Sequence, residues 1–240
     1  MRELAWDGYV NAKDLGGLPT ALSPSGVTAF GRVARGPRRE RLTALGWQQA
    51  RDWGLRAIVD LRCAHEVGPR EGDPQLAPAS IADITVADAP TEDQSDEEFR
   101  RLCFPILDSP EYWAHNWRLQ PHLVRGALEA VAAAGPGVLV HCSAGRDRTG
   151  MISALLLGNA GVAPDAVAQD YAHSVRAMAG AANHAPTVDR QSRWTADETD
   201  AWLADKLPIV RETAASAPQI MTDLGVDEET RERLRGLLVV

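Results

Sequence analysis

The chain has 240 residues, 45% of them hydrophobic and 24% charged, with a formal net charge of −8. Length and composition suit one globular domain, 1–240, and exclude wholesale disorder. The acidic balance argues against a nucleic-acid binder with a broad basic face, yet leaves room for one concentrated positive pocket.

In chain order, residues 11–19 (NAKDLGGLP) read as an opening loop with a tight Gly-Gly turn. A short strand is predicted over 28–34 and a helix over 40–53, where Leu42, Leu45 and Ala50 share one side. Residues 55–61 (LRAIVDL) predict a buried strand, and 80–86 a weaker one. Residues 88–120 begin acidic and Pro-flanked. They predict an exposed loop leading into short helices, with the charges from Glu92 to Glu98 on a solvated face and the whole segment a possible lid. A helix over 120–134, a buried strand over 137–141 (GVLVH) and a central, apolar helix over 149–160 follow. Pro164 suits the first turn of a helix reaching about residue 175. Residues 180–192 predict a loop, and 197–207 and 227–238 two last helices. This alternation predicts an α/β fold: a mostly parallel central sheet flanked by helices.

Three cysteines, Cys63, Cys103 and Cys142, make no disulfide framework, and no CxxC or HExxH spacing is present, so no metal or cofactor is expected. Residues 1–8 lack an apolar run and predict no signal peptide. The longest apolar stretch, Met151–Leu157, is too short to insert in a membrane. A cytoplasmic setting is the expectation, with leaderless secretion left open.

The chemistry concentrates in His141–Gly150, HCSAGRDRTG. A strand that ends in a loop of small residues and reopens as a helix aims backbone N–H groups and a helix N-terminus at one spot, a cradle for a phosphate. Ser143, Ala144, Gly145, Arg146, Asp147 and Arg148 would line it, with Gly145 allowing a close bend. A free thiol titrates near about 8.5. Beneath a helix N-terminus and beside an arginine, Cys142 should titrate well below that and serve as nucleophile. Arg148, six residues later, presents a planar fork to two phosphoryl oxygens. The Thr149 hydroxyl can stabilise the leaving sulfur, and His141 can brace the loop.

These residues resemble the Cx5R motif of cysteine-dependent phosphatases. The fuller pattern is most similar to the atypical bacterial tyrosine-protein phosphatase family, the mycobacterial PtpB-like group. NAKDLGG resembles that family's NxRDLGG, with Lys13 replacing an arginine, and IVDLRCAHEV resembles its DLRxxxE, giving Asp60, Arg62 and Glu66. The three motifs span residues 11–150. The resemblance implies phosphomonoester hydrolysis through a phosphocysteine intermediate. No WPD tripeptide occurs; the resemblance implies as general acid the aspartate one residue before the arginine, Asp147, and Asp108, 34 residues before Cys142, and then Asp88 are the alternatives. A phosphotyrosine protein is the implied substrate. A small-molecule phosphate or a phosphoinositide is the alternative, and a catalytically silent phospho-binding module the reading from another class.

The remaining residues carry paired readings. Asp60 and Arg62 either support the phosphate loop or form a structural ion pair with Glu66. Asp14 either shapes a turn or touches the loop. Arg146 either reads further phosphates or faces solvent. Cys63 and Cys103 are either inert core residues or redox partners of Cys142. Tyr112, Trp113 and Trp117 either pack in the core or line a lid.

Overall fold

The computed structural model describes residues 2–75, 81–180 and 190–240. Five short strands form one sheet: β1 (Lys13–Asp14), β2 (Val33–Gly36), β3 (Ala57–Asp60), β4 (Thr85–Asp88) and β5 (Val138–His141). Their order is β1-β2-β5-β3-β4, with β1 antiparallel to β2 and every other pair parallel. A parallel sheet is covered on both faces, so its central strands are apolar throughout. β2, β3 and β5 are buried at every residue.

Alternation sorts their side chains between two cores. Val33, Ala57, Val59, Val138 and Val140 enter the larger one, which the helical layer completes. Ala34, Ile58 and Leu139 face the smaller one, closed by Trp6, Leu42 and Trp47. Trp47 belongs to α1 (Ala44–Trp53), whose N-cap Thr43 accepts from the Gly46 N–H.

The other face carries α4 (Pro121–Ala134) and α5 (Asp147–Asn159). Apart from Gly158, every residue of α5 is buried, as expected of a central helix. Outside it lie α6 (Pro164–Met178), α7 (Ala196–Ala215), α8 (Ala217–Asp223) and α9 (Glu228–Leu238). The helix expected over 197–207 stops just before Pro208, and proline normally ends a helix. The structure carries α7 through it. Leu203, Leu207, Val210 and Ala214 form a buried stripe on both sides of the proline, and that burial offsets the lost hydrogen bond.

Two further short helices, α2 (Glu97–Cys103) and α3 (Tyr112–Leu119), lie within the segment expected as a possible lid. Phe99, Cys103, Tyr112 and Trp113 on them are fully buried, and Trp117 packs against the same core, so these aromatics take the packing role. The acidic run is corrected in part. Glu92 and Gln94 are buried, Asp96 caps α2 by accepting from the Phe99 N–H, and only Asp93, Ser95, Glu97 and Glu98 face solvent. The second strand begins at 33 rather than 28, and the fourth at 85 rather than 80. The loop expected over 180–192 lies largely outside the described residues. Among the described residues no helix is long and apolar enough to cross a membrane.

Candidate active site

The site sits where parallel strands end, the usual crevice of an open α/β sheet. Gly36, Asp60 and His141 stand side by side at the ends of β2, β3 and β5. Beyond His141 the chain turns through Cys142–Arg146 and enters α5 at Asp147. Gly145 has φ +70°, and a Cβ there would lie 2.4 Å from the Gly36 carbonyl carbon. The loop therefore rests directly on the backbone of β2, which only glycine permits.

Its carbonyls are tied from outside. Ser143 O accepts from the Arg38 N–H at 3.1 Å. Ala144 O accepts from Asn11 Nδ2 at 3.2 Å. Gly145 O accepts from Asn11 Nδ2 at 3.3 Å and from Arg35 Nη2 at 2.9 Å. A trans peptide points its N–H opposite to its C=O. Holding three successive carbonyls outward thus turns the N–H groups of Ala144, Gly145 and Arg146 inward. Arg35 is itself fixed by Asp170, through Nη1 to Oδ2 at 2.5 Å. Burial works against the Asp170 charge, but Arg35, Arg2 and Lys13 hold its carboxyl at about 2.

The arginine is equally constrained. Both Arg148 Nη atoms donate to the Glu66 carboxylate, Nη2 to Oε1 at 2.7 Å, and Glu92 Oε1 lies 3.4 Å from Nη1. Glu66 is in turn placed by the Cys63 N–H (3.0 Å to Oε2) and by Arg62 Nη1 (3.2 Å to the Glu66 backbone O). Of the two readings for Asp60 and Arg62, the ion pair with the Glu66 carboxylate is not formed among the described residues. Arg62 instead pairs with Asp60 at 2.7 Å and Glu40 at 2.8 Å, leaving Glu66 free for Arg148. Burial opposes the Asp60 charge, yet hydrogen bonds from Arg62 and the charge of Arg39 keep its carboxyl at about 2. His141 Nδ1 lies 3.0 Å from Cys142 O, and Nε2 lies 3.6 Å from Asp60 Oδ2. Burial pulls the ring down to about 4, so it is neutral at pH 7.

Of the candidate acids, Asp147 begins α5 inside the loop, and Arg146 Nε donates to both its oxygens at 3.1 Å. Arg146 is buried, which corrects the reading that it faces solvent. Asp108 is buried, with its backbone carbonyl accepting from Gln191 Nε2 at 2.5 Å. Asp88 is exposed at the end of β4. Cys142 is 3% exposed. The buried Thr149 Oγ1 has no hydrogen-bond partner among the described residues.

Other expected residues stand apart. Asp14 shapes a turn, accepting from the Gly16 and Gly31 N–H groups and from Trp53 Nε1. All three cysteines are free, and burial pushes Cys63 and Cys103 up to about 12, so both are thiols rather than thiolates at pH 7. Sequence reasoning missed Asn11, Arg35 and Glu92, and gave Glu66 no role toward Arg148. Asn11 opens a quoted motif, and Glu92–Ser95 alternates buried and exposed as an extended segment does. Nothing local marks Arg35.

Comparison with known proteins finds phosphatases. The triple specificity protein phosphatase PtpB of Mycobacterium tuberculosis is 30% identical over 281 aligned positions, covering all of this chain and 99% of that one. A tyrosine-protein phosphatase of Nostoc commune is 29% identical over 175 residues, 72% of this chain and 50% of that protein. A solved structure, TpbA of P. aeruginosa, superposes with a TM-score of 0.37 at 16% identity, covering 82% of this chain and 96% of that one. The family model described as the tyrosine phosphatase family matches residues 4–240. The chain therefore belongs to the tyrosine phosphatase family and is a cysteine-dependent phosphatase.

Proposed function

We propose that Cys142 is the nucleophile of a protein-tyrosine-phosphatase-like reaction and that Asp147 is its general acid. The observation carrying this reading is the loop whose carbonyls are bound from outside, leaving its N–H groups for a phosphate above the sulfur. The Cys142 sulfur attacks phosphorus in line. Arg148 and the N–H groups of Ser143–Arg148 hold the equatorial oxygens, so charge developing in transit meets donors already in place. Asp147, oriented by Arg146, protonates the leaving oxygen and then takes a proton from the hydrolytic water. Thr149 has a hydroxyl to spare for the departing sulfur. His141, Asp60 and Arg62 are supports: the first braces the Cys142 carbonyl, and the pair positions Glu66.

We read 1–240 as one phosphatase domain in which residues 88–120 form a wall of the site. A nucleophile 3% exposed favours a substrate that carries its phosphate on a long, thin arm. Phosphotyrosine meets that demand better than phosphoserine, so a phosphotyrosine protein is the proposed substrate.

Leaving-group dependence tests the acid. Asp147→Asn should slow alkyl phosphates far more than p-nitrophenyl phosphate, whose leaving group needs no proton. If Asp108→Asn shows that pattern and Asp147→Asn does not, the acid is Asp108. Comparing kcat/KM over phosphopeptides, sugar phosphates, nucleotides and inositol phosphates tests the substrate. A small-molecule phosphate preferred over every phosphotyrosine peptide would refute the proposal.

A further inference from the structure

We infer that Cys63, Glu66 and Glu92 form a binding site for a thiophilic divalent cation such as Zn²⁺, and that filling it disables Arg148 by drawing Glu66 away.

One ligand atom from each of these three buried residues lies within 4.8 Å of the other two. Two buried carboxylates share one guanidinium. Both Arg148 Nη atoms are engaged by Glu66, and Glu92 stands 3.4 Å from the same guanidinium without a cation of its own. Glu92 is 3% exposed, and its Oε2 has no hydrogen-bond partner among the described residues; nor has Gln94 Oε1. Both residues line a cleft of about 730 Å³ together with Cys63 and His65. Buried acceptors with no donor call for a proton or a cation. The cleft provides a way in for one.

The donor set selects the ion. One sulfur with two carboxylates suits Zn²⁺ or Cd²⁺ better than Mg²⁺ or Ca²⁺, which take oxygen ligands only. Closing to bond lengths of about 2.0–2.3 Å requires modest contraction, and water completes the tetrahedron from the cleft. Binding replaces the Cys63 S–H bond with an S–metal bond, and the proton leaves to solvent. The Cys63 thiol then gives up its contact with the Glu92 carbonyl at 3.1 Å. Glu66 is the shared element. An oxygen committed to the metal no longer receives Arg148, and the ion's charge repels the guanidinium. The inhibition rests on the role of Arg148 proposed above; the binding does not.

The test therefore has two arms. In the binding arm, Cys142→Ser protein is titrated with Cd²⁺, which removes the active-site thiol as a competitor. One equivalent should bind with a sulfur-to-metal ultraviolet band. The band should persist when Cys103→Ser is added and vanish when Cys63→Ser is added. Glu92→Gln should weaken binding by about tenfold or more, giving a second variant if Cys63→Ser folds poorly. In the activity arm, Zn²⁺ should inhibit the unmodified enzyme reversibly to chelator. Cys63→Ser, read against its own metal-free rate, should need at least about tenfold more metal for half inhibition. A band that survives Cys63→Ser overturns the site. Equal inhibition of Cys63→Ser and the unmodified enzyme overturns the switch.

Discussion

Replacing Glu66 by Gln keeps the shape of the Arg148 buttress and removes its charge. At about 4 Å between charge centres and an effective dielectric near about 20, the lost attraction is about 4 kcal/mol. Part is recovered, because Glu92 Oε1 already lies 3.4 Å from Nη1. Arg148 should then shift toward Glu92, away from its bidentate seat. A displacement of about 1 Å in a catalytic group costs roughly 100-fold in rate. Glu66→Gln should accordingly lower kcat for p-nitrophenyl phosphate by about two orders of magnitude. Glu92→Gln, which leaves the bidentate pair intact, should cost less. Stopped-flow and steady-state rates, with denaturant melts to confirm folding, provide the assay. A Glu66→Gln enzyme that folds normally and keeps kcat within about threefold would refute the claim that this ion pair positions the arginine.

The loop's outward carbonyls give another expectation. Asn11→Asp turns a shared donor into an acceptor facing Ala144 O and Gly145 O. It should destabilise the protein by about 1–3 kcal/mol and reduce kcat, read by thermal melts and turnover. Acid sensitivity gives the third. The unfolded His141 takes a proton near 6.5 and the folded one near about 4, so the unfolded chain binds more protons between those values. Stability should fall as pH drops through this window, by up to about 3 kcal/mol more than in His141→Gln, measured from urea midpoints.

The site's centre was legible because its chemistry is local. A strand, a loop of small residues, a helix start and an arginine six positions after a cysteine all lie within His141–Gly150. The apolar strands at 57–60 and 138–141 were legible for the same reason, since burial on both faces leaves a continuous hydrophobic run. What escaped depends on distant partners. Asn11 reaches the loop across 133 positions and Arg35 across 110, distances over which local sequence carries no signal. Glu92 was hidden by composition: it sits in an acidic stretch whose other members cap α2 or face water. The continuation of α7 through Pro208 is a tertiary override, in which a buried stripe outweighs the residue that would break an isolated helix.

Rapid quenching of the enzyme with a phosphotyrosine substrate, followed by mass spectrometry of its peptides, addresses the nucleophile directly. A phosphoryl group carried on Cys142, absent from Cys142→Ser and formed in the presence of chelator, is the predicted result. Full turnover by Cys142→Ser, or a phosphoryl group trapped on any other residue, would contradict the account.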